Sequence, residues 1–340
     1  MSSDVFFFGS GFSKSLINSY PTLNELSNYI KSEFQYEKES VHRHFMHEVP
    51  DKFHDNIETL LTYLSSNLPY KTPVQVSADE ALYKDITSKL AKYFKQLRND
   101  YNIDTNEQSI KQFAKYILNN KCTCITLNYD LILEDLLYKN TPQEYQDANK
   151  NFSIFYKIPI TNLQNRIPVS YGGYKNWNTD FCRAQMPEII KLHGSINWLY
   201  SGLSISDPVY SETGDEDDYL KSGLINFIVP PVLDKQSQYN NVIIKSLWTK
   251  AFNAIENARN IYIYGFSFPQ TDYSIRFLFQ SALRNNPFCK IHVVNTVSNL
   301  EALKSHYIEI FGGNNCNFSC CVGNNQLGAL LNILQGGQDD

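Results

Sequence analysis

The sequence predicts an α/β fold, a parallel sheet with helices on both faces, plus an inserted helical module. Three observations carry that prediction. Short apolar runs recur along the chain, and each is continuous rather than alternating, as expected of strands covered on both faces. Most are followed by a small or polar residue and then a helix-period pattern, the rhythm of strand–helix units. One long stretch departs from that rhythm and shows helix spacing alone.

Val5–Phe8 is the first strand. No basic segment precedes it and glycines follow at once, so it reads as a buried strand rather than a signal peptide. From about residue 23 to residue 119 there is no clear strand. Ile57, Leu60, Leu61 and Leu64 are spaced for one helix face there, which predicts a helical insertion after the first strand–helix unit. Cys122–Leu127 is the next strand. Residues from about 141 to 187 are rich in Asn, Gln, Tyr and Pro and read as an irregular insertion beside the ligand edge. Ile189–Leu192, Ile225–Val229, Ile261–Tyr264 and Ile291–Val294 complete the expected parallel strands. The acidic run Gly214–Asp218 reads as a solvated loop, since it lacks the glycine and terminal Glu of a calcium loop. Residues 1–334 are read as one domain and 335–340 as a tail. Right-handed crossovers gather the strand C-terminal ends on one edge, where ligands of such sheets bind.

Composition narrows the function. The chain has 340 residues and is 42% hydrophobic, enough for a sizeable core. A net charge of -5 argues against broad nucleic-acid binding, which needs Lys and Arg to neutralise phosphates. The 23 Tyr and 21 Phe lack an interleaved basic surplus, so they read as packing. Seven Cys occur with no zinc-ribbon spacing, which fits free thiols in a reducing cytosol and a cytoplasmic protein. No run is long enough to cross a bilayer, so no membrane contact is expected. His42, His44, His47 and His54 cluster near Glu48 and Asp51. An exposed polar helix accounts for them without a metal, although His44 and His47 fit one helix face.

Five motifs fall at expected strand ends. Gly9-Ser10-Gly11-Phe12-Ser13 follows the first strand, where glycines permit a tight turn and a helix start supplies amides for a pyrophosphate. Its pattern is neither the full G-x-G-x-x-G fingerprint nor a P-loop. Thr126-Leu127-Asn128-Tyr129-Asp130 ends the second strand. Asn128 is suited to a ribose hydroxyl or a water, and Asp130 to capping the next helix. Lys191-Leu192-His193-Gly194-Ser195 places a histidine at the sheet edge, where a near-neutral pKa suits a general base. Gly265-Phe266-Ser267 ends another strand, with Asp272 just beyond, and Val294-Asn295 ends the last.

Taken together, the order GSGFS, TLNYD, KLHGS, YGFS and VVN resembles the sirtuin-like family, whose motifs read G-A-G-x-S, T-x-N-x-D, a catalytic H-G, a G-x-S and a late Asn. The flanking stretches Asn56–Leu61, Val229–Pro231 and Phe268–Asp272 look like its bacterial branch. The resemblance runs from Val5 to about Leu334 and is weakest in the two insertions. It implies a Rossmann-like domain that binds NAD, with NAD as substrate and no metal. It implies His193 as base and Asn128 as the ribose and water holder. Gly9, Ser10, Gly11, Phe12 and Ser13 would serve the pyrophosphate, together with Asp130. Gly265, Ser267 and Asp272 would line the phosphate and ribose region, and Asn295 the adenosine side. Ser10 replaces the family's Ala, and Leu127 stands where lysine-deacylating members carry Gln.

The four-cysteine zinc ribbon of deacylating members is missing, which counts against protein deacylation. The branch without it resembles NAD hydrolases of anti-phage defence. That in turn implies control by a homo-oligomer or by a separate partner such as an ATPase or nuclease-like protein. The alternatives are an NAD-dependent ADP-ribosyltransferase or deacylase, or a non-catalytic nucleotide-sensing assembly subunit.

Overall fold

A computed structural model describes residues 4–336 except 36–39, 102–106, 147–151, 164–183, 203, 205, 213–222, 230–240, 270–271, 297–299, 313 and 324. The strands are β1 (Asp4–Phe8), β2 (Thr123–Thr126), β3 (Ile160–Asn162), β4 (Glu188–Lys191), β5 (Gly194–Tyr200), β6 (Val209–Ser211), β7 (Ile225–Ile228), β8 (Asn260–Tyr264), β9 (Lys290–Val294) and β10 (Asn315–Cys320). Six of them form one sheet in the order β10-β9-β8-β1-β2-β4. Every neighbouring pair in it is parallel. Counted along the chain, these strands stand in the order 3-2-1-4-5-6, the doubly wound arrangement that binds dinucleotides at its switch point.

The central strand shows why its sequence is continuously apolar. All of β1 is buried, and its rings alternate between two covered faces. Phe6 and Phe8 meet Phe113 of α7 (Gln108–Asn120), with ring centroids 5.6 and 6.3 Å away. Phe7 meets Phe279 of α9 (Tyr273–Arg284) at 5.0 Å on the other face. Each fully buried Phe contributes roughly 1.5–3 kcal/mol of transfer free energy.

Between α1 (Ser10–Leu16) and β2 the described chain is helical: α2 (Leu23–Gln35), α3 (Ser40–His47), α4 (Asp51–His54), α5 (Ile57–Ser65), α6 (Pro73–Asp100) and α7. Asn56 starts α5 by accepting a hydrogen bond from the Thr59 amide at 3.0 Å. The face spaced at Ile57, Leu60, Leu61 and Leu64 is the buried one. A capping box between Thr72 and Gln75, with Pro73 in the first turn, starts α6. The far end of α6 is tied to α8 (Ile132–Asn140). Arg98 gives Asp135 two hydrogen bonds of 3.0 Å, and Tyr101 adds one of 3.1 Å. Lys95 pairs with buried Glu212.

The structure corrects the expected strand set in two places. Ile225–Val229 does not join the parallel sheet. Instead β7 pairs antiparallel with β5 at the edge of a four-stranded sheet ordered β3-β6-β5-β7. Ile225 is 41% exposed, so an apolar run here marks a strand covered on one face only. The sixth parallel strand is β10, which the hydrophobic pattern does not predict. As an edge strand it is mostly half-exposed and carries Asn, Cys and Ser in place of a continuous apolar run. Gly214–Asp218, Pro230–Pro231 and most of the 141–187 insertion lie outside the described residues. So do residues 337–340 of the expected tail. Among the described residues no helix is long and apolar enough to cross a membrane.

Candidate active site

The strand order reverses between β1 and β8, and the loops leaving these two strands are laced together. The Gly9 amide donates to the Tyr264 carbonyl at 3.0 Å, and the Gly11 amide to the Gly265 carbonyl at 2.9 Å. Gly265 has φ +66°, the left-handed region that favours glycine. A Cβ there would lie 2.2 Å from the Phe12 amide nitrogen, and one on Gly11 would lie 2.7 Å from the Gly265 Cα. Contact between the two loops therefore demands these glycines, before any ligand is considered. Of the amides expected to face a phosphate, Gly11 donates to Gly265, and Phe12 donates to the Gly9 carbonyl at 3.0 Å. The Phe12 ring is a core residue, packed 4.4 Å from Phe8 and 5.3 Å from Tyr264.

Behind the loop runs a buried hydrogen-bond chain. Asn128 Nδ2 donates to the Gly9 carbonyl at 3.0 Å and to Ser13 Oγ at 2.9 Å. Ser13 Oγ donates to Asp130 Oδ2 at 2.9 Å, and the Tyr20 hydroxyl donates to the same oxygen at 2.7 Å. Asp130 Oδ1 accepts from the Ile132 amide, the first of α8, at 2.9 Å; the N-cap position itself is Leu131. A carbonyl can only accept, so Gly9 fixes which end of the Asn128 amide faces it. Asn128 therefore has Oδ1 left to offer, an acceptor for a hydroxyl or a water. Burial, then the Asp130 charge, pushes the Tyr20 phenol well above its usual range, so it stays a donor.

Several cavities open at this edge. The first, about 180 Å³, brings Gly9, Ser10, Asn128, His193 and Asp272 together. Its other walls include Tyr20, Leu26, Leu90 and Phe94, the last three from the helical module. The second, about 310 Å³, is lined by Gly11, Lys14, Gly265 and Asn295, with Gln326. The first is smaller than the ~300 Å³ at which drug-sized pockets begin, so a larger ligand would extend beyond it. His193 is 5% exposed and follows β4 by two residues. The next residue, Gly194, has φ +74°, and a Cβ on it would lie 2.1 Å from the Phe227 carbonyl oxygen. That close approach accounts for the H-G pair.

The remaining sequence-nominated residues sit elsewhere. Ser13 and Asp130 are buried behind the first cavity. Ser267 lines neither cavity; it is exposed, and its carbonyl lies 2.9 Å from His306 Nε2. The following residue, Phe268, takes φ +51° while buried against Phe7 and Phe279, so local strain is held by packing. Sequence reasoning missed Tyr20, Tyr129 and Glu58, which line the first cavity. For Glu58 the signal was its place on the α5 face beside the capping Asn56.

The histidine cluster does not converge, and it is not on an exposed helix as expected, since His42 and His54 are buried. His44 Nε2 meets Asp79 at 2.7 Å, His42 approaches Asp85 at 3.6 Å, and His54 stacks on Phe45. Among the described residues no group of three or more His, Cys, Asp or Glu could hold a metal ion.

No family model matches the chain, and no curated protein does. Solved structures do match. A Sir2 homolog in complex with NAD is 13% identical, over 99% of this chain and 89% of that one, with a TM-score of 0.47. A structure addressing the mechanism and regulation of Sir2 enzymes is 10% identical, over 100% and 95% of the two chains, with a TM-score of 0.41. Sir2Tm bound to a propionylated peptide is 11% identical, over 98% and 93%, with a TM-score of 0.39.

Proposed function

We propose that the protein binds NAD across the two cavities and hydrolyses its nicotinamide–ribose bond. The observation that carries this reading is the meeting of Asn128 and His193 in one cavity, beside Gly9 and Ser10, at the switch point of a doubly wound sheet. The neighbouring cavity, with Asn295 on its wall, takes the adenosine half. The motif order GSGFS, TLNYD, KLHGS, YGFS and VVN supports the same ligand.

In the reaction the bond from ribose C1′ to the cationic nicotinamide nitrogen breaks. The electron pair leaves with nicotinamide, which departs neutral. Positive charge develops on the ribose, so the site has to orient the sugar and accept a proton rather than supply a strong nucleophile. Asn128 Oδ1 accepts from a ribose hydroxyl or the attacking water. His193 takes a proton from that water or hydroxyl as the new C1′–O bond forms. Apolar walls at Leu26, Leu90 and Phe94 keep bulk water from the leaving ring.

In this reading the enzyme depletes NAD in anti-phage defence, restrained by self-assembly or by a partner such as an ATPase or nuclease-like protein. The helical module offers the contact surface. Product analysis tests the chemistry. Hydrolysis gives nicotinamide and free ADP-ribose in equal amounts from purified protein and NAD. Nicotinamide release with the ADP-ribose retained on protein would replace hydrolysis by transfer.

A further inference from the structure

Lys191, His193, Ser195 and Asn197 alternate along one stretch of chain, and all four are buried. Buried polar residues are costly unless they are held, and Lys191, at the end of β4 just before the turn into β5, is held closely. It is 1% exposed, as the last residue of β4. Its Nζ donates to the Asp130 backbone carbonyl at 2.6 Å and to Glu134 Oε1 at 3.0 Å. The Tyr156 hydroxyl donates to the same Glu134 oxygen at 2.8 Å. Glu134 is fully buried, and burial pushes its carboxyl above the usual range while Lys191 pulls it back.

A buried ion pair of this kind is often no more stabilising than an apolar pair of the same volume. Stability alone therefore gives no reason for a lysine here. Geometry does. Lys191 lies two residues before His193, and the carbonyl it grips lies two residues after Asn128. The loop and strand are tied again by the Ile196 amide on the Tyr129 carbonyl at 3.0 Å. Removing the ammonium takes away the charged tie and leaves weaker ones between the segments, among them the Ile196–Tyr129 backbone bond, Ser195 Oγ 3.5 Å from the same carbonyl and the Tyr129 ring 6.3 Å from the His193 ring.

We propose that Lys191 is a positioning residue, whose ammonium, braced by Glu134 and Tyr156, clamps the Asn128–Asp130 loop to the end of β4, from which His193 follows, and sets the spacing of Asn128 and His193. The proposal rests on the reading that these two side chains act together on NAD.

Lys191→Met keeps the stem and removes the ammonium. Lys191→Met/Glu134→Gln also removes the buried charge left behind, and it takes over the test where the single variant does not fold. Glu134→Gln alone keeps an acceptor oxygen for both Lys191 and Tyr156. The expected result is a loss of about 10- to 100-fold in kcat for either Lys191 variant, with KM moved less than about 3-fold. Glu134→Gln, which keeps the ammonium on the Asp130 carbonyl, loses less kcat than either Lys191 variant. Amide hydrogen exchange at Asn128–Asp130 speeds up in the Lys191 variants, and the His193 ring signals shift in NMR spectra. A folded Lys191 variant with wild-type kcat and unchanged exchange at Asn128–Asp130 overturns the clamp. Exchange and ring signals need no turnover. If the wild-type protein fails to cleave NAD, the functional reading falls while those two measurements still decide the clamp.

Discussion

Gly265→Ala tests the laced loops at the switch point. At φ +66° an L side chain costs roughly 1–2 kcal/mol. The new Cβ would also sit 2.2 Å from the Phe12 nitrogen and 2.4 Å from the Gly11 carbonyl carbon, both rigid backbone. Relieving that overlap moves the loops apart and breaks the Gly11–Gly265 hydrogen bond, worth about 1 kcal/mol net. A total of roughly 3 kcal/mol lowers the Tm by about 6 °C at the ~2 °C per kcal/mol of a large domain. Thermal unfolding followed by tryptophan fluorescence reads it. Gly11→Ala is the internal comparison. Its Cβ meets the Gly265 Cα at 2.7 Å, but its φ lies outside the left-handed region and helix propensity favours alanine, so its Tm falls less. NAD affinity falls in both variants, because each separates the walls of the second cavity. A Gly265→Ala protein within about 1 °C of wild type would refute the close-contact argument. A Gly11→Ala protein that loses more than Gly265→Ala would refute the backbone part of it.

Other consequences concern the body of the protein. Arg98→Ala removes both bonds to Asp135 at a half-buried site and costs roughly 1–3 kcal/mol. Urea unfolding reads the loss, and limited proteolysis within α6 becomes faster; unchanged proteolysis would show that α6 is held elsewhere. The buried phenols of Tyr20 and Tyr156 both titrate well above the ordinary range, by burial first and by Asp130 and Glu134 next. A group whose folded pKa is raised contributes stability that is complete below its unfolded pKa, about 10, and is lost as pH climbs toward the folded value. Stability therefore declines above about pH 10, less steeply in Tyr20→Phe. An equal slope in that variant would remove Tyr20 from the explanation.

The sequence made the central sheet readable because β1, β2, β4, β8 and β9 are covered on both faces and write that fact as unbroken apolar runs. It was less informative at the edges. β10 is half-solvated and looks like a polar loop, and β7 is apolar while covered on one face only. The glycines of the first loop were legible as a tight turn, but their partner was not. Gly265 lies more than 250 residues away in sequence, and only folding shows that it, rather than a phosphate, meets the Gly11 amide. Asn128 and His193 were marked by their strand-end positions. The acceptor role left to Asn128 was not, because it depends on the Gly9 carbonyl and Ser13 occupying its donors. Lys191 was visible only as one letter of KLHGS, since its partners come from α8 and the segment around Tyr156.

The most direct test of the central claim measures NAD binding and nicotinamide release together, for wild type, Asn128→Ala and His193→Ala. Wild type should bind NAD and release nicotinamide. His193→Ala, which leaves the loops intact, should bind within a few-fold and release none. Asn128→Ala should release none and bind more weakly, because the Gly9 carbonyl and Ser13 lose their donor. Release by either variant at the wild-type rate, or a wild-type protein that does not bind NAD, would contradict the account.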